Sequence, residues 1–266
     1  MAEVYESQSR PRKRWGRRLL ITFLVLLVFL AVVLVVVDRF GKSYAERMIS
    51  DRVAQEVRNR DATAEQPDVT VEGVPFLTQV VDGRYQEIRI GLRNLSAAGP
   101  ENEQITMPRL DVRARDVQAP LSALRGGQQS IVAGKVTGTG LLDYATLVRL
   151  INREGVQLSE RGGKLAVTAP VPVDLIRQQV VLNGTANLEV VDGNVIRVSF
   201  EQVTAEDLPN VPLVQNIVNN YARQLGLNVR VPALPLDMKV EKVQPTAAGL
   251  VVTAGANDVP LNAARL

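Results

Sequence analysis

Cysteine and histidine are both absent from this 266-residue chain. Their absence excludes disulfides, thiol nucleophiles, Cys/His zinc sites, haem ligation through either residue and every histidine-dependent catalytic triad. No remaining side chain has an unperturbed pKa near neutrality, so a general base would have to be a strongly shifted carboxylate or lysine. Aromatics are scarce too. Beyond residue 40 only Tyr44, Phe76, Tyr85, Tyr144, Phe200 and Tyr221 remain, few rings from which to build a stacking platform for bases or sugars. Phosphate-cradling loops are incomplete. Gly41-Lys42-Ser43 has Val36 where a P-loop needs its first glycine, and Gly138-Thr139-Gly140 has Asp143 where a dinucleotide loop needs its third. No Gly-x-Ser-x-Gly elbow and no Asp-x-Asp-x-Asp-Gly loop occurs. The expectation is therefore no enzyme activity, no metal and no cofactor, with a carboxylate-pair hydrolase as the one catalytic class left open.

Charge is present but segregated. The formal net charge is +3, yet residues 1–18 hold six basic residues (Arg10, Arg12, Lys13, Arg14, Arg17, Arg18) and two acids. That leaves 25 basic and 26 acidic side chains in residues 19–266, an electrically balanced body. A sequence-independent nucleic-acid binder needs a basic surface to displace counterions, so no nucleic-acid partner is expected.

Leu19 to Val37 is a run of 19 residues broken only by Thr22 and free of charge. As a helix it spans ~28 Å, close to the ~30 Å hydrocarbon core of a bilayer. The basic flank and Trp15 lie on its N-terminal side, which predicts a cytoplasmic N-terminus and an outward body. Residues 1–18 are read as a cytoplasmic basic segment, 19–37 as a transmembrane signal anchor and 38–266 as an extracytoplasmic domain. A cleaved signal peptide is disfavoured. Its apolar region is normally shorter, and the small-residue pair of Ser43-Tyr44-Ala45 lies well past the end of the run.

Residues 41–60 carry Tyr44, Met48, Ile49, Val53 and Val57 at helical spacing, and Asp61 to Pro67 reads as a break. Alternating apolar positions then predict strands around Val69 and Val71, Ile88 to Leu92 and Leu110 to Ala114, with a closing strand after Gly249. Asp82-Gly83 and Asp192-Gly193 are hairpin signals between strand-like runs, and Gly126-Gly127 and Gly162-Gly163 mark further turns. Two helices interrupt the strands. Asp143 caps one carrying Tyr144, Leu147, Val148 and Ile151. Asn210, Pro212 and Gly226 bound another, whose stripe is Leu213, Val214, Ile217, Val218, Tyr221 and Leu225. Many strands and few helices, without regular βαβ alternation, give an α+β fold with a mainly antiparallel sheet.

The segment Gly73-Val74-Pro75-Phe76-Leu77-Thr78-Gln79 should bend the chain from one strand to the next. It resembles the Gly-Phe-Pro-Phe-Leu-Thr-Gln signature of the LmeA-type phospholipid-binding proteins of actinobacterial envelopes, with Val74 in place of the first phenylalanine. Gly83-Arg84-Tyr85, the run Leu110 to Val117 and Gly249-Leu250-Val251-Val252 follow in the same order as in that family. The similarity covers residues 41–261. It implies a curved, mainly antiparallel sheet wrapped around a long helix, as in tubular, BPI-like lipid-binding domains. It also implies phospholipid binding outside the membrane, with anionic lipids such as phosphatidylinositol as partners and a role in maintaining lipoglycans of the cell envelope. A non-catalytic scaffold or chaperone for an envelope glycosyltransferase is the alternative, ahead of the hydrolase.

The lipid-contact candidates are Phe76 and Leu77 at the signature, and Leu213, Ile217, Val218 and Tyr221 on the second helix. Ordinary core packing competes with lipid contact at each of them.

Overall fold

The structure, a computed structural model, describes residues 15–98, 104–120, 131–151, 154–173, 178–205, 227–230 and 234–261. It opens with α1 (Trp15–Asn59), a single helix of 45 residues. The apolar run and the amphipathic stretch after it are continuous. Within the first part every large apolar side chain from Leu19 to Val37 is exposed. In the second part Ala45, Ile49, Val53 and Val57, four residues apart, pack on the body. Tyr44 and Met48, expected on that stripe, lie off it and are exposed. A spacing of four keeps side chains over one another on a helix, and a neighbour one residue away points elsewhere. The helix ends in a Schellman motif around Asp61 (φ 53), where Ala62 N–H reaches Val57 O and Asp61 N–H reaches Arg58 O.

Strand β1 (Asp68–Glu72) leads into a short helix α2 (Phe76–Asp82), then β2 (Arg84–Ala98), β3 (Gln104–Gln118) and β4 (Val132–Leu142). Helix α3 (Tyr144–Ile151) follows, capped by Asp143 Oδ1, which accepts the Thr146 N–H at 2.6 Å. Strands β5 (Gln157–Arg161), β6 (Lys164–Val173), β7 (Gln178–Val191), β8 (Val195–Ala205) and β9 (Leu227–Arg230) come next. Last are β10 (Lys239–Thr246) and β11 (Gly249–Pro260). All pairings among the described strands are antiparallel, in line with the mainly antiparallel sheet of the α+β reading. The strands form two sheets, ordered β1-β2-β3-β4-β11-β10 and β5-β6-β7-β8-β9. Strand β10 joins them, its Val240 N–H donating to Gly193 O in the β7–β8 turn. Asp192 (φ 54) and Gly193 (φ 71) form that turn, and Gly162 and Gly163, both at positive φ, form the β5–β6 turn.

The Asp82-Gly83 hairpin is corrected. The chain makes α2 instead of a strand, and Gly83 (φ 64) is its left-handed C-cap. A Cβ there would lie 2.9 Å from Pro120 Cα, so only glycine lets the two backbones meet. Seven residues rich in Thr and Val do not hold a helix by propensity. Contacts with α1 and the sheet hold it, and period-2 reading could not see those contacts.

The main core gathers Val71, Phe76, Tyr85, Val117, Ala133, Val136 and Val259 beneath α1 and α2. A crease helps to build it. Asp116 (φ 51) and Asp258 (φ 52) flank Gly134 in one cross-strand row. Left-handed residues there shift the pleat, so Ala114 and Val117, three apart, turn into the same core, as do Ala256 and Val259.

Candidate functional site

The signature residues form a junction between α1, α2 and β2. Gly73 (φ 102) starts it, and a Cβ there would lie 2.7 Å from Gln79 Nε2. The Val74–Pro75 peptide is cis. Phe76 is 5% exposed and stands beside Tyr85, ring centroids 6.3 Å apart, in the main core. Burial there pushes the Tyr85 phenol pKa above its ordinary value. Leu77 is half-buried, and its N–H donates to Asp38 Oδ1 at 2.8 Å. A Cβ on Gly41 would lie 3.6 Å from the Phe76 ring and 3.9 Å from Leu77 Cδ2, so α2 rides directly on α1. Thr78 Oγ1 donates to Pro75 O, and Gln79 Oε1 accepts the Gln86 N–H at 3.0 Å. Gln79 Nε2 is buried and without a partner.

Phe76 and Leu77 are thus brought together at the head of the body, where Phe76 plugs the core. Leu213, Ile217, Val218 and Tyr221, with the whole helix expected at 210–226, lie outside the described residues. Sequence reading missed Asp38, Gly41 and Gln79. An acid placed directly after the apolar run was the available signal for the first.

Between the creases the six-stranded sheet has an apolar face and a charged one. On one face three cross-strand rows run from β2 through β3 and β4 to β11. They are Ile88–Ala114–Val136–Ala256, Ile90–Val112–Gly138–Ala254 and Leu92–Leu110–Gly140–Val252. Every position is apolar or glycine. Along β4 the two glycines leave a floor without side chains about 7 Å long, and β3 and β11 wall it roughly 10 Å apart. Methionines overlie it. A Cβ on Gly138 would lie 3.9 Å from Met238 Sδ, and one on Gly140 would lie 3.6 Å from Met107 Sδ and 3.8 Å from Leu110 Cδ1. Both methionines are half-buried. Thioether chains of this kind repack easily around a variable apolar occupant.

The other face carries Arg89, Arg109, Arg113, Arg115 and Lys135, a basic grouping within a body that is electrically balanced overall. Acids answer most of them. Glu87 Oε2 accepts the Arg115 Nε–H at 2.8 Å, and its Oε1 pairs with Arg89. Arg109 pairs with Asp111 at 2.6 Å, and Lys135 with Glu241 at 3.7 Å. Hydrogen bonds from Arg89 and then Arg115 hold the Glu87 carboxyl below its usual range. Charged residues at alternate positions of β3, Arg109, Asp111, Arg113 and Arg115, were readable as one face of a strand, but the pairing of Arg115 with Glu87 on β2 follows only from register.

The five-stranded sheet alternates in the same way, with Val167, Leu182, Gly184, Leu188, Val198 and Phe200 on one face. Between β7 and β10, at the seam of the two sheets, lies a groove of about 490 Å³ lined by Ala186, Leu188, Val190 and Val243 with Asn187, Glu241 and Lys242.

Residues 36–255 match the family model described as LmeA-like phospholipid-binding. No curated protein matches the chain.

Proposed function

Since the chain belongs to the LmeA-like phospholipid-binding family, we propose that it is a membrane-anchored, extracytoplasmic phospholipid-binding protein whose acyl-chain site is the apolar face of the six-stranded sheet. The observation that carries this reading is the glycine floor of Gly138 and Gly140 under Met107 and Met238. A face built only to pack a core is close-packed by interdigitating side chains. Here two neighbouring positions have none, and the residues above them are the most adaptable apolar side chains available. Each methylene taken from water contributes ~0.8 kcal/mol, so a trough of modest length binds lipid without a charged partner.

Two features support anchoring by α1. Among the described residues, none covers Leu19 to Val37, whose large apolar side chains are all exposed. The helix also continues past them into contacts that a cleavage after Ala45 would remove, among them Asp38 with Leu77 and Gly41 against Phe76. Glu46 and Ser50, one and two turns further on, bind Val71 N–H and Pro67 O. With the basic flank inside, the body faces outward, and its work is support of the cell envelope and its lipoglycans. Leu77 and the four positions on the 210–226 segment remain candidates for lipid contact.

Native mass spectrometry of the full chain, extracted in mild detergent, tests the reading. The expected result is co-purified phospholipid, with phosphatidylinositol, phosphatidylglycerol and cardiolipin compared by exchange. No bound lipid, together with stable co-purification of a glycosyltransferase, overturns it in favour of a scaffold. Turnover of an ester or glycolipid that is lost on replacing one Asp or Glu overturns the non-enzymatic part.

A further inference from the structure

We propose that α2 and the residue before its proline form a second membrane contact, a rim that sits in the outer boundary of the bilayer crossed by α1. The placement follows from the junction. Asp38, the residue directly after the apolar run, holds the N-terminus of α2 through the Leu77 N–H at 2.8 Å. Gly41, less than one turn further on, receives Phe76 and Leu77 at van der Waals distance. Helix α2 is therefore fixed at the level where α1 leaves the hydrocarbon, and at seven residues it is only about 10 Å long.

Two large apolar side chains are open there. Val74, two residues before the helix, is 73% exposed and Val81, in its last turn, is 84% exposed, while Phe76 faces the core. Phe40 and Tyr44, on the same stretch of α1, are exposed as well. Two polar groups, Asp38 and Gln79, are buried between them, while Arg39, Thr78 and Asp82 are exposed at the same end, so apolar and polar side chains are interleaved there as on a segment lying in a bilayer boundary. The occupant that fits is the bilayer itself, because the start of α2 is held by Asp38 and Gly41, within about one turn of the end of the membrane segment. Apolar side chains at such a depth add to the hold of the anchor and set the body end-on to the lipid, with the sheet core starting directly behind Phe76.

This inference rests on α1 spanning the membrane, and the experiment separates the two. The chain has no cysteine, so one introduced thiol carries one environment-sensitive fluorophore. Full-length Val74→Cys, Val81→Cys, Leu26→Cys and Gln55→Cys are reconstituted in phosphatidylglycerol/phosphatidylcholine nanodiscs with and without spin-labelled lipids. Gln55 is exposed and ~26 Å along α1 from Asp38, so its label reports water. Labels at positions 74 and 81 are expected to shift to the blue and to be quenched by lipids labelled near the head group. A label at position 26 should respond to lipids labelled deep in the chain. If position 26 is quenched while 74 and 81 behave like 55, the rim is refuted and the anchor stands. If position 26 behaves like 55, the anchor falls and the rim with it.

Discussion

Replacing the floor glycines with leucine fills the trough that the lipid reading requires, and the structure sets the size of the effect. A Cβ on Gly138 or Gly140 meets its neighbours at 3.6 to 4.0 Å, ordinary contact distances, and neither residue has a positive φ. Gly138→Ala and Gly140→Ala should therefore fold, gain up to ~0.4–1 kcal/mol through a stiffer unfolded chain, and keep their lipid. Leucine adds three further carbons over the floor. If they displace about three methylenes of an acyl chain, binding weakens by ~2.4 kcal/mol, roughly 50-fold. The assay is lipid per protein by native mass spectrometry, read beside a thermal melt of the same sample. Refutation is direct: leucine variants that melt like the parent and carry its full lipid complement would show that no acyl chain lies on β4. Leucine variants equally destabilised with and without lipid would mean that the face is plain core, overpacked at a cost of ~1–3 kcal/mol.

Four further outcomes follow from the same geometry. Phe76→Ala should cost ~3–5 kcal/mol in denaturant unfolding, because the ring is a fully enclosed plug beside Tyr85, and Phe76→Leu should cost clearly less. Asp38→Ala should leave the Leu77 N–H unpaired and cost ~1 kcal/mol, seen as faster amide exchange confined to α2. Glu87 has a folded pKa depressed by Arg89 and Arg115, so its stabilising effect is complete above its unfolded pKa and is lost as pH falls through the folded one. A stability profile taken downward from pH 5 should accordingly be flatter for Glu87→Gln than for the parent. Affinity for an anionic lipid should depend only weakly on salt, since the charged face of the sheet is largely paired within itself, and a steep salt dependence would move the head group onto Arg89 and Arg113.

Much of the fold is legible in the amino-acid sequence alone. The apolar run, the alternation around Val69, Ile88, Leu110 and Leu250, the Asp143 cap and the Asp192-Gly193 turn are all local signals, and each appears where expected. Local periodicity works there because burial of one face is decided by neighbours two or four residues away. It fails at residues 76–82. Those residues alternate poorly and favour neither state, and what makes them a helix is an acid 39 residues earlier and a glycine on another helix.

The candidate site divides in the same way. Sequence determined the apolar content, the absence of cysteine and histidine and the family signature, because composition and short motifs are properties of the chain itself. It could not determine that Gly138 lies between Val112 and Ala254 and Gly140 between Leu110 and Val252 in adjacent rows, or that Met107 and Met238 close over them. Strand register is fixed by pairing partners more than a hundred residues apart, such as Gly138 with Ala254, and a slip of one residue would turn both glycines to the charged face. Only the tertiary structure makes two ordinary strand glycines into a floor.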